Sequence, residues 1–163
     1  MNESTNFLER AEQFLALLDA SARLGKRLGY GNDGEIWATT TNAAVKIFER
    51  EPNYRRELNC YRRLYDKSVD KIEGFSVPVL LANDDQLLAI AMTIVAPPYL
   101  LDFGKAYLDA RPDFSAEVIA EWEAERAELF EPGQWQQVQT LLRSLQGLGI
   151  YYYDAKPANI CFG

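Results

Sequence analysis

Apolar residues recur along this chain at two different spacings, and the changes between them mark its elements. From residue 4 to 18, Leu8, Ala11, Leu15 and Leu18 fall three or four apart, which predicts an amphipathic helix capped by Asn6 with Glu9 three residues on. That stripe suits packing against the body of the protein or a dimer contact. After Gly25 the spacing shifts. Leu28-Gly29-Tyr30-Gly31-Asn32-Asp33-Gly34-Glu35-Ile36 reads as a glycine-rich hairpin turn, and Ile36, Trp37 and a run of threonines continue it as strand. Ala43-Ala44-Val45-Lys46-Ile47-Phe48 is an apolar strand around one charge. Helical spacing returns over Tyr54–Leu64, where Leu58, Tyr61, Leu64 and Tyr65 form an apolar face beside Glu57, while Glu51 precedes Pro52 and is expected in the connection.

Val77–Leu81 and Leu87–Val95, joined by Asn83-Asp84-Asp85, predict a second hairpin that Pro97-Pro98 terminates. Residues 100–130 turn acidic, with Val118, Trp122 and Leu129 giving a weak apolar face, as expected of a surface helix; the scattered carboxylates are better explained by solubility than by metal binding. Beyond Gly133, Trp135, Val138, Leu141, Leu142, Leu145 and Leu148 line one side of a further helix that Gly147 and Gly149 stop, and Ile150 and Tyr151 are expected to pack as core. The pattern as a whole is α+β.

Composition narrows the function classes. At 163 residues with 48% hydrophobic and 25% charged side chains, the chain is one globular domain's worth. A net charge of -7 argues against nucleic-acid or membrane-surface partners, which are themselves polyanionic. No apolar run approaches the ~20 residues that span a bilayer. The N-terminus lacks the features of a secretory signal, and Cys60 and Cys161 set no disulfide framework, so a reducing cytoplasm is the simplest home. The absence of histidine removes His-based triads and most zinc sites.

Candidate chemistry gathers at Tyr152-Tyr153-Asp154-Ala155-Lys156-Pro157-Ala158-Asn159, an acidic residue, a lysine two on and an asparagine three further, directly after a long helix. Upstream, in order, stand the G-x-G-x-x-G hairpin and Lys46, twelve residues past Gly34. Glycines at such places let backbone amides approach phosphate oxygens, although the same turn also serves an ordinary hairpin. A lysine pointing inward from an apolar strand needs an acidic partner.

Together these residues resemble the protein-kinase-like family, over roughly residues 22 to 161. The resemblance implies a five-stranded antiparallel N-lobe sheet with an αC-type helix, then a mainly helical partial C-lobe. It divides the chain into a helical extension at 1–21, an N-lobe at 22–96, and a hinge-following segment with helices and catalytic loop at 97–163. It implies Asp154 as the base for an attacking hydroxyl, Lys156 and Lys46 as phosphate contacts, Glu57 as the partner holding Lys46, and Asn159 as a magnesium ligand. For ATP it implies phosphate contacts from Gly29, Gly31 and Gly34, a base sandwiched by Leu28, Ile36 and Ala44, and a hinge over Met92, Thr93 and Ile94.

The family pattern is broken at three places. Tyr152 stands where a histidine usually opens the loop, and Asp33 adds negative charge at the glycine-loop tip. The third break is an Asp-Phe-Gly metal turn, expected about a dozen residues beyond Asn159; Cys161-Phe162-Gly163 imitates it only superficially. The expectation is therefore a Ser/Thr-kinase-type ATP-binding domain lacking that turn and most of its C-lobe, and inactive in phosphoryl transfer as it stands. Two alternatives are a pseudokinase-type module that binds a protein partner and a relative of the small-molecule, aminoglycoside-type phosphotransferases.

Overall fold

A computed structural model describes residues 3–163, with side chains from Asn6 onward. The chain runs α1 (Glu3–Leu18), β1 (Leu24–Gly31), β2 (Gly34–Thr39), β3 (Ala43–Phe48), α2 (Glu51–Asp66), β4 (Lys71–Ile72), β5 (Phe75–Ser76), β6 (Leu80–Asp84) and β7 (Ala89–Thr93). It continues through β8 (Tyr99–Leu100), β9 (Ala106–Leu108), α3 (Ala116–Ala127), α4 (Pro132–Gly147), β10 (Ile150–Tyr152) and β11 (Ile160–Cys161). No helix among the described residues is long and apolar enough to cross a membrane.

The first half builds a five-stranded antiparallel sheet in the order β1-β2-β3-β7-β6. Strand periodicity of two assigns its faces. Val45, Ile47, Ala89 and Ala91 point to one side and bury against Ala11, Phe14 and Leu15 of α1. Ala44, Phe48, Ile90 and Met92 point to the other, into a core shared with Tyr54, Leu58, Tyr61 and Leu64 of α2. Lys46 lies between Ala44 and Phe48 in β3 and so faces α2.

The amphipathic pattern located the helices but misplaced some of their faces and ends. Helix α1 begins at Glu3, so Asn6 lies inside it and is not its cap; Phe14 is buried, while Leu8 and Leu18 are exposed. Glu51 is the first residue of α2 because Pro52 is well suited to a first helical turn, and Tyr65 points to solvent. Helix α4 starts at Pro132 for the same reason, ahead of Gly133. Tyr152, not Tyr151, joins Ile150 in the core, as alternation along β10 requires.

The second half returns twice to pair with itself across long sequence gaps. Strand β9 pairs antiparallel with β10, Tyr107 opposite Tyr151. Strand β8 lies between β5 and β11, Leu100 opposite Ile160. Helix α3 buries no residue, as the surface-helix expectation has it. Its Trp122 indole donates to the Tyr153 carbonyl oxygen at 3.2 Å.

Candidate functional site

Lys46 Nζ lies 2.8 Å from Glu57 Oε2, the two facing each other from β3 and α2 with side chains 12% and 1% exposed. Burying such a pair adds little net stability, so its consequence is positional: the ammonium is fixed under the β1–β2 turn. Asp102 Oδ1 approaches the same ammonium at 3.8 Å. Burial lowers the proton affinity of Lys46, but Glu57, Asp102 and Asp33 outweigh it and the net direction is up. Burial pushes Glu57 from the ordinary 4.5 up to about 7 against the pull of Lys46, and Asp102 adds to the rise.

A pH dependence follows. The native state binds the Glu57 proton more tightly than the unfolded chain does. Its stabilising contribution is complete below about pH 4.5 and is lost as pH rises through about 7. Urea denaturation should therefore show stability falling across this interval, with a much flatter profile for Glu57→Gln; an unchanged slope in the variant would rule Glu57 out as the cause.

The Asp154 loop is held chiefly from within. Asn159 Nδ2 donates to the Asp154 carbonyl oxygen at 3.0 Å and to Asp154 Oδ2 at 2.9 Å, and both residues are buried. Lys156 Nζ lies 3.7 Å from Asp154 Oδ2 and Lys105 Nζ 3.9 Å from Oδ1. Half-exposed pairs of this kind contribute less than about 1 kcal/mol, so these lysines are better placed to meet a ligand than to stabilise the loop.

The expectation that the chain holds no Asp-Phe-Gly triplet is wrong: Asp102-Phe103-Gly104 stands upstream of the loop and lies next to it in space. Leu101 N–H donates to the Asn159 carbonyl oxygen at 2.8 Å, and the β8–β11 and β9–β10 pairs flank this contact on either side. Phe103 is fully buried, its ring 5.2 Å from Tyr61 and 5.6 Å from Tyr152. Tyr152, at the expected histidine position, donates its hydroxyl to the Leu101 carbonyl oxygen at 2.7 Å. Burial raises that phenol well above 10, so it remains a donor. Arg56 Nη1 donates to the Gly104 carbonyl oxygen at 3.3 Å, tying the turn to α2.

These groups line one cleft of about 530 Å³, with Gly29, Gly31, Gly34, Ile36 and Lys46 on one side and Asp102, Lys105, Asp154, Lys156 and Asn159 on the other. A larger hollow of about 840 Å³ lies between α1 and the outside of the glycine turn, away from Lys46 and Asp154. Gly34, at φ +141°, has a local structural reason: a Cβ there would overlap the Ile47 carbonyl oxygen of β3. A Cβ on Gly31 would meet open space.

Of the expected base-binding residues, Leu28, Ala44, Met92, Thr93 and Ile94 do not line this cleft. Met92 lies within β7, paired with Ala44 and Leu80, and Thr93 N–H donates to the Val79 carbonyl oxygen at 3.0 Å; Ile94 is the first residue past the strand. Asp102 and Lys105 were missed in the sequence. The signal for Asp102 is the Asp-Phe-Gly triplet itself, which stands upstream of the loop and not beyond Asn159.

No family profile and no curated protein matches the chain. Among solved structures, it is similar to one described as a streptomycin-ATP-APH(2")-IIa ternary complex, at 18% identity and a TM-score of 0.41 over 52% of this chain. The match spans 27% of that chain's length.

Proposed function

We propose that this chain is a kinase-like phosphotransferase domain whose catalytic elements occur in a permuted order, the Asp-Phe-Gly turn preceding the Asp154 loop. The observation that carries this reading is the convergence of the Lys46–Glu57 pair, the Asp102 turn and the Asp154–Asn159 loop on one cleft. Helix α2 takes the αC role and β1–β3, β6 and β7 the N-lobe sheet. Inactivity no longer follows from a missing metal turn.

ATP is the donor in this reading, with its phosphates beneath Gly29, Gly31 and Gly34 and its nucleoside end beside Ile36, the one expected base-binding residue that lines the cleft. Asp154 accepts the proton as an acceptor hydroxyl, on a Ser/Thr side chain or a small molecule, forms its bond to the γ-phosphorus. The bond to the bridging oxygen breaks and ADP leaves. Lys46, Lys105 and Lys156 meet the phosphate oxygens. Among the described residues no cluster of three or more Asp, Glu, His or Cys could hold a metal ion alone. The donor set nevertheless fits magnesium shared with phosphate oxygens. Both Asn159 hydrogen bonds use its amide nitrogen, leaving the amide oxygen, and the Asp102 carboxylate is 31% exposed. Magnesium, when bound, supplies charge neutralisation on the phosphates.

The test is titration with ATP and magnesium, followed by ATP turnover with hydroxyl acceptors. Lys46→Ala is expected to lose binding. Asp154→Asn should keep it within a few fold and lower turnover by roughly 10²–10⁴-fold, the usual worth of a general base. Equal turnover in wild type and Asp154→Asn would sink the reading. The inward-held Asp33 carboxylate favours a second reading, a nucleotide-free scaffold for a protein partner; no binding of wild type at millimolar ATP would select it.

A further inference from the structure

The tip of the β1–β2 turn is held inward, as an ordinary hairpin tip has no need to be. Asn53 Nδ2 of α2 donates to Asp33 Oδ1 at 2.7 Å, and Glu49 N–H donates to the Asp33 carbonyl oxygen at 3.2 Å. The other carboxylate oxygen, Oδ2, reaches the Asp-Phe-Gly turn. A Cβ on Gly104 would lie 3.8 Å from it, 3.8 Å from Glu57 Oε2 and 3.2 Å from Asp102 Oδ1. Glu57 and Asp102 already approach the Lys46 ammonium at 2.8 and 3.8 Å, and Asp33 has no ion pair within 4 Å among the described residues. The Asp33 carboxylate is thus fixed where the glycine turn would cover a phosphate chain.

We propose that Asp33 is a specificity-determining residue of this cleft, barring phosphate chains that arrive without a divalent cation. The inference rests on the nucleotide-cleft reading above and deepens it. A bare triphosphate would place its negative oxygens against the Asp33, Asp102 and Asp154 carboxylates, which the ammoniums of Lys105 and Lys156, both already beside Asp154, do not balance. A phosphate chain carrying its cation turns the same carboxylates from repulsive to attractive. Asp102 and Asp154 have positions in the chemistry of transfer. Asp33 stands outside it and can act through charge alone.

Equilibrium titrations of wild type and Asp33→Asn with ATP, in EDTA and in saturating magnesium, test this. Asparagine suits the turn and keeps an oxygen for Asn53, so only the charge changes. Wild type is expected to bind metal-free ATP roughly 100-fold more weakly than magnesium-ATP. Asp33→Asn should raise the metal-free affinity about tenfold, the scale of one nearby charge, and leave the magnesium-ATP affinity within about twofold. Asn53→Ala, which releases the carboxylate from its inward hold, should move metal-free binding the same way by a smaller factor. An unchanged ratio in Asp33→Asn overturns the proposal alone. Wild type binding neither form overturns the cleft reading and this proposal together.

Discussion

Asp102→Asn is expected to lower ATP turnover by about 10³-fold while the fold stays intact, because in the proposed reading this carboxylate would help hold magnesium, and its loss would remove several kcal/mol of transition-state stabilisation. The substitution is unusually clean. Asp102 has φ +63°, a left-handed conformation that asparagine tolerates, and its Oδ1 accepts from Gly104 N–H at 3.1 Å, a bond the asparagine oxygen can keep. What disappears is the negative charge, 3.8 Å from Lys46. Measuring turnover against magnesium concentration identifies the cause: the variant should need far more magnesium to reach half-maximal rate. If its turnover and magnesium dependence matched wild type, the permuted metal turn would be wrong, whatever became of the Asp154 loop.

Phe103→Ala carries the largest expected effect on stability, a loss of roughly 3–5 kcal/mol, the range for a fully buried phenylalanine replaced by alanine. Phe103 is packed edge-on against Tyr61 of α2 and Tyr152 of β10, so the cavity would open where three separate elements meet. Neither neighbour can collapse into it cheaply. Tyr152 is committed through its hydroxyl to Leu101, and Tyr61 is fixed on the buried face of α2. Urea denaturation measures the loss, with Phe114→Ala as a comparison expected to cost much less because Phe114 is 43% exposed. A loss under about 1 kcal/mol for Phe103→Ala would mean that the turn is not anchored as described.

Arg63 shows why the helix faces could not be assigned from sequence alone. It stands in α2 with Arg55, Arg56 and Arg62, a set whose local pattern alone suggests a solvated face. In the structure it forms a two-pronged pair with Asp109, at 2.9 and 2.6 Å, and donates to the Leu148 carbonyl oxygen at 2.9 Å. It thereby ties α2 to the segment after β9 and to the end of α4. Partners 46 and 85 residues away in the chain leave no trace in local periodicity.

What the amino-acid sequence determined by itself was the position of the main site residues within their own elements. Period two put Lys46 on the α2 side of β3, helical spacing put Glu57 on the buried face of α2, and Asp154, Lys156 and Asn159 lie close enough in sequence to share one loop. What only the tertiary structure decided was that the Asp102-Phe103-Gly104 triplet packs beside that loop. A residue's distance along the chain limits contacts within a helix or turn, but a strand pair can join any two segments whose edges remain free. Strand β8 finds β11 and β9 finds β10 across such gaps, and they deliver Asp102 to Asp154 from upstream. The same distant packing turns Asp33 inward through Asn53, where sequence could establish the charge but not its direction.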